Sequence, residues 1–148
     1  MSHPFEIGAL GEIAIRCADI ASMSTFYEEI LGLTHLSGDH RSGIIFYKIA
    51  DGFAGHTTVL ALFAADAPQR DVHPKSGTAP ATGAGSSLHH IALSLTRADQ
   101  DTAIDWFTKT GVTHRIEHFG WIGWRGVFLT DPEGNTVELV AYSDDFKD

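Results

Sequence analysis

Residues 90–95, HIALSL, decide the fold, because they lay over residues 12–17, EIAIRC, with the same alternation of apolar and polar positions. In the first stretch Ile13, Ile15 and Cys17 alternate with Glu12, Ala14 and Arg16; in the second Ile91, Leu93 and Leu95 alternate with His90, Ala92 and Ser94. A period of two is the mark of a half-buried strand, one face to a core and the other mixed. Each strand leads into a helical pattern. Asp19 and Ser22 are N-cap residues ahead of Met23, Phe26, Tyr27, Ile30 and Leu31, with Gly32 as the stop; DQDTAIDWFTKTGV repeats the arrangement and stops at Gly111. Beyond the helices lie GIIFYKI (43–49) and TTVLALF (57–63) in one half, and THRIEHF (113–119), WRGVFLT (124–130) and TVELVAY (136–142) in the other, the last two joined by the turn DPEGN. The spacing repeats: Glu12 to His90 is 78 residues, Gly32 to Gly111 and Gly55 to Gly134 are each 79, and Phe26 to Trp106 is 80. We read an α+β chain of two βαβββ modules, 11–63 and 88–142, within a single domain spanning 1–148. Residues 66–87, rich in Pro, Gly, Ala, Ser and Thr, are too poor in apolar side chains to pack and form a linker or loop.

Composition narrows the function classes. The chain has 148 residues, 43% of them apolar, enough for one substantial core. Ten basic and nineteen acidic residues give a net charge of −9, which repels phosphate backbones and anionic membranes. No run is apolar enough to span a bilayer, and the opening MSHPFEIGALGE has no secretory pattern, so the expectation is a cytoplasmic protein with neither nucleic acid nor membrane as partner. The single cysteine, Cys17, rules out an internal disulfide, and its place on the helix-packing face makes it an inert thiol. No serine sits in a nucleophile elbow, and GTAPATGAGSS lacks the lysine of a phosphate-binding loop.

Parity sorts the remaining polar residues. If Ile91, Leu93 and Leu95 face the helix, His90, Ala92 and Ser94 face away from it, with Glu12, Ala14 and Arg16 as counterparts; His89 falls on the helix side or at the strand's entrance. In the last strand Glu138 is a lone carboxylate among Val137, Leu139 and Val140, a place where burial is costly unless the charge is paired or coordinated. Phe26, Tyr27, Trp106 and Phe107 are expected in the core. His114 and His118 are expected to be exposed without a role.

The opening EIAIRCADIASMSTFYEEILGL, the second opening LHHIAL and the closing GVFLTDPEGNTVELVAY resemble the vicinal oxygen chelate superfamily, which includes glyoxalase I, extradiol dioxygenases, fosfomycin-resistance transferases and bleomycin-resistance proteins. The likeness runs from about Gly11 to Tyr142, and DPEGNTVEL is its most specific piece. It implies a cup-shaped mixed sheet with helices on the convex side, and a divalent metal (Mn, Ni, Zn, Mg or Fe) held from the first and last strands of the modules. Carried onto this chain, those positions are Glu12 and His90, then Val59 and Glu138. Glu12, His90 and Glu138 can ligate; Val59 cannot, and His56 is its nearest substitute only if a bulge changes the parity. Three protein ligands leave room for two adjacent substrate oxygens.

One imidazole with two carboxylates favours a Lewis-acid role over the oxygen chemistry of a two-His, one-carboxylate iron site. The resemblance therefore implies a metal-dependent lyase or isomerase, with Glu138 as ligand and Glu12 as ligand or general base in proton transfer. Substrate contacts fall to Arg16, as a carboxylate fork or a neutraliser of Glu12, and to Trp121, Trp124 and Arg125 of FGWIGWRG as pocket wall. The alternatives are an extradiol-type iron(II) dioxygenase and a metal-free module that binds a planar ligand. The partners implied are a small-molecule substrate and, as a homodimer, a second copy of the chain.

Overall fold

The structure, a computed structural model, describes residues 4–66 and 88–148; most of the expected linker, 67–87, lies outside the described residues. The chain forms two compact units, 1–80 and 81–148, each with one mixed four-stranded sheet. In the first, β1 (Glu12–Cys17) pairs in parallel with β4 (His56–Ala64), which continues antiparallel to β3 (Ile44–Phe53) and β2 (Thr34–Asp39). In the second, β5 (Ile91–Ser94) pairs in parallel with β8 (Thr136–Tyr142), which continues antiparallel to β7 (Trp124–Thr130) and β6 (Arg115–Phe119). The orders β1-β4-β3-β2 and β5-β8-β7-β6 are the same ladder built twice, so the α+β reading as two βαβββ units is the observed one.

The helix of each unit is set by its caps. The Asp19 carboxylate accepts from the N–H groups of Ala21 and Ser22 and starts α1 (Ile20–Thr25). The helix then widens into a π-helical stretch, Phe26–Ile30, where the Leu31 N–H reaches back five residues to the Phe26 carbonyl. Apolar spacing alone does not reveal that widening. Thr96 caps α2 (Arg97–Thr110), and Gly111, at φ +74°, ends it in the left-handed conformation that a side chain would strain.

Strand parity is as expected. Ile15, Cys17, Leu60, Leu62, Ile45 and Tyr47 are buried on the helix side of the first sheet; Ile91, Val127, Leu129, Val137, Leu139 and Ala141 are their equivalents in the second. Burial, and then the Glu28 carboxylate that accepts from the Tyr47 hydroxyl at 2.9 Å, push this phenol well above its usual range. In the second unit Gln100 on α2 is fully buried and clamps helix to sheet. Its Nε2 donates to the carbonyls of Arg125 (2.6 Å) and Leu139 (2.8 Å), while its Oε1 accepts from Arg125 Nε (2.6 Å).

Three local expectations need correction. Trp106 is 42% exposed and is not core: Phe107 takes the buried station, and its neighbour, about 100° further round the helix, lies against the Phe107 ring at its rim. The second opening strand is shorter than LHHIALSL, because β5 is an edge strand whose ladder begins at Ile91 opposite Val137, leaving both histidines ahead of it. The third correction is in register. The first module's counterpart of Glu138 is Ala61, not Val59, since Ala61 lies opposite Ala14 as Glu138 lies opposite Ala92. Counting from the turn glycines misplaces it because Gly55 to Ala61 spans two residues more than Gly134 to Glu138, while β3 absorbs the difference at its two irregularities after Lys48 and Ala50.

Candidate functional site

Residues opposed across neighbouring strands share a face, so the ladders map the side of the second sheet that turns away from α2. Its rows run Phe119–Trp124–Tyr142, then Glu117–Gly126–Val140–Ser94, then Arg115–Phe128–Glu138–Ala92. Aromatic rings therefore stand on both sides of a bare glycine, with one carboxylate diagonal to it.

Glu138 is 6% exposed, and its Oε2 lies 3.4 Å from Nε2 of His90, the residue just ahead of β5. That separation is an ion-pair distance rather than a tight hydrogen bond. The His90 side chain is 35% exposed, so the pair has one buried member and one that opens to the surface. The other ring edge of His90 is also engaged: its Nδ1 lies 2.7 Å from Nδ1 of His89. One proton serves that contact, so one ring donates and the other accepts. When His90 is the donor there, its Nε2 carries a lone pair toward Glu138, the state in which imidazole ligates a metal. When His89 donates, the Nε2–H of His90 points at the carboxylate instead. His89 thus stands at the strand's entrance, against His90, rather than among the helix-packing residues.

The other expected site residues are distributed as follows. Glu12 heads β1, exposed, opposite Val59. Arg16 is half-buried further along the same strand face, opposite Phe63. His56 begins β4 and is exposed, its ring close over Gly11. Trp121 is 80% exposed in the turn before β7, and Trp124 is partly exposed on the Glu138 face. Arg125 has the opposite parity. Its guanidinium pairs with Asp101 and stacks 4.6 Å from the Phe146 ring centroid, which ties α2 and the C-terminal turn to the sheet. His114 is half-buried, with Nδ1 2.8 Å from the Val112 carbonyl, and His118 is exposed near the Phe146 ring.

Neither unit by itself gathers three His, Cys, Asp or Glu side chains into a metal-holding set among the described residues. The second unit brings two, His90 and Glu138. An imidazole nitrogen and a largely desolvated carboxylate, on one face and aimed at each other, are a donor pair that a borderline divalent ion fits.

The ladder, its repeat and the closing DPEGNTVEL coincide with one family model. The model of the Glyoxalase/Bleomycin resistance protein/Dioxygenase superfamily matches residues 9–139. The chain belongs to this superfamily.

Solved structures share the glyoxalase-superfamily fold with it. Lactoylglutathione lyase from Agrobacterium tumefaciens is 19% identical, with a TM-score of 0.65 over 91% of this chain and 94% of its own. A glyoxalase/dioxygenase from Nostoc punctiforme is 20% identical, with a TM-score of 0.64 over 97% of both chains. The fosfomycin resistance protein FosX from Listeria monocytogenes is 18% identical, with a TM-score of 0.61 over 95% of this chain and 97% of its own. No curated protein matches the chain by sequence. Among the described residues, no helix is long and apolar enough to cross a membrane.

Sequence reasoning did not single out Gly126, Phe119, Phe128 or Tyr142 on this face of the superfamily member. The alternation Trp124, Gly126, Phe128 on β7 carried the signal, since it places all three on one side of the strand, opposite the alternation that buries Val127 and Leu129.

Proposed function

We propose that the chain is a divalent-metal-dependent lyase or isomerase of the glyoxalase superfamily, acting as a homodimer on a small substrate that presents two neighbouring oxygens. One observation carries the reading: Glu138, buried on the face away from the helix, directs its carboxylate at Nε2 of His90. A buried carboxylate is costly to keep in an apolar strand, and at the equivalent station of the first module stands the fully buried, apolar Ala61. Its retention is explained by a ligand.

In this reading His90 Nε2 and Glu138 hold the metal, which when bound polarises the substrate oxygens as a Lewis acid. His89, bonded to His90 Nδ1, fixes which nitrogen faces the ion. Glu12 is the first module's counterpart of His90 in the sequence repeat, a carboxylate suited to act as ligand or as the base that takes a proton from carbon. Phe128 stands opposite Glu138 on the neighbouring strand, and its ring edge and the carboxylate both lie close over Gly126. Arg16, with a guanidinium suited to bidentate contact, is the candidate partner for a substrate carboxylate.

The test is proton exchange. Protein stripped by chelator and reloaded with Mn, Ni, Zn, Mg or Fe(II) is incubated with α-hydroxyketones and α-ketoaldehyde adducts in deuterated water. Metal-dependent deuterium uptake at the carbon beside the carbonyl is expected, and is lost in Glu12→Gln and His90→Ala. Oxygen consumption with catechols and iron(II), in place of deuterium uptake, would move the assignment to ring cleavage.

A further inference from the structure

Gly126 is the residue that most needs an explanation. It lies mid-strand in β7, buried, in a stretch otherwise built of larger side chains, and it has no left-handed φ that would demand glycine. Glycine there costs strand stability, having no side chain to pack and more backbone entropy to lose. A Cβ built on Gly126 would overlap Oε1 of Glu138 and come within 2.7 Å of Cε2 of Phe128. The space that a side chain would fill is already occupied by the carboxylate.

The first module supplies an internal comparison. Its ladder places Phe46 opposite Ala61 and Ile44 opposite Phe63, where the second places Phe128 opposite Glu138 and Gly126 opposite Val140. The phenylalanine is the same in both. Where the carboxylate is replaced by Ala61, the glycine is replaced by Ile44. The two differences are complementary: the side chain deleted at one station is the one supplied at its diagonal neighbour.

We propose that Gly126 is a positioning residue, a seat that lets the Glu138 carboxylate lie back over the sheet and face His90. The inference rests on the metal-centred reading for its functional meaning, since a ligand held by its seat presents one oxygen toward His90 while the other rests against Gly126. The first module has neither part: Ile44 stands at the station of Gly126 and Ala61 at that of Glu138.

The experiment is a double-mutant cycle of Gly126→Ala and Glu138→Ala, read by the His90 imidazole Cε1–Hε1 signal in chelator-treated protein and by metal titration. The contacts to be displaced are the free end of a side chain and a ring edge, so Gly126→Ala is expected to fold. In metal-free protein it should move the His90 signal toward its position in Glu138→Ala, and should shift it no further in the Glu138→Ala background. Metal affinity should fall about 10–100-fold. An unmoved His90 signal in Gly126→Ala overturns the proposal, as does an equal shift in both backgrounds. If Gly126→Ala does not fold but the double variant does, the conflict is with the carboxylate and the seat stands; if neither folds, Gly126 accommodates something else and the proposal falls. Absence of metal binding in the unaltered protein would defeat the metal reading alone, leaving the His90 signal to decide the seat.

Discussion

Replacing Glu138 by leucine should make the metal-free protein more stable while abolishing metal binding. The side chain is 6% exposed, and its two methylenes are already packed; leucine adds the equivalent of one to two buried carbons at about 0.8 kcal/mol each. The substitution also relieves the desolvation of the carboxylate, about 1–3 kcal/mol for a buried polar group, and the partner it leaves, His90, opens to the surface and is not stranded as a buried charge. Against this stands the lost attraction to His90. That residue is 35% exposed and 3.4 Å away, so solvent screening limits the loss to about 0–1 kcal/mol. The net expectation is a gain of about 1–3 kcal/mol, a rise in Tm of roughly 2–12 °C at about 2–4 °C per kcal/mol for a chain of this size. The assay is thermal unfolding in chelator and again with added divalent metal: the unaltered protein should gain Tm with metal, and Glu138→Leu should not. A loss of more than about 1 kcal/mol in chelator would refute the reasoning, because it would make Glu138 a structural residue whose partners outweigh its desolvation.

Gln100→Ala should be among the most destabilising single changes in the second unit. It removes three hydrogen bonds within 2.8 Å and leaves two buried carbonyls unmet, for a loss of about 3 kcal/mol, measurable by denaturant unfolding; a loss under about 1 kcal/mol would mean that water replaces the amide. The Tyr47 phenol, its proton held tightly by burial and Glu28, contributes stability that is fully present below the ordinary phenol range near pH 10 and lost as pH rises through the folded value. Absorbance titration should show Tyr47 ionising only as the protein unfolds, so that the late step loses one tyrosine's amplitude in Tyr47→Phe; a late step of unchanged amplitude in Tyr47→Phe would contradict this.

The ladder was legible because it is a parity statement: Ile13, Ile15 and Cys17 against Glu12, Ala14 and Arg16 needs only the two-residue repeat of a strand, and the second module repeats it. β2 was the faintest strand in the pattern, since THLSGD is exposed along its whole length and no alternation marks it. Register was harder than parity. The displacement of Glu138's counterpart from Val59 to Ala61 arises in hairpin length and bulges, which leave no periodic trace. At the site, parity brought out His90 and Glu138, whereas the role of Gly126 depends on which side chain leans into its space, a diagonal relation that emerges only once β7 and β8 are registered. Arg125 illustrates the same limit: its place beside two tryptophans suggests a pocket wall, yet one step of parity from Trp124 sends it to the helix, where Gln100 and Asp101 engage it.

Metal content is the most direct test of the account. Protein purified without chelator, dialysed and analysed by elemental mass spectrometry should carry close to one divalent ion per chain. His90→Ala and Glu138→Ala, shown to be folded by circular dichroism, should carry little or none. A folded, unaltered protein that holds no divalent metal and takes up none when it is offered, or a His90→Ala variant loaded as fully as the unaltered chain, would contradict it.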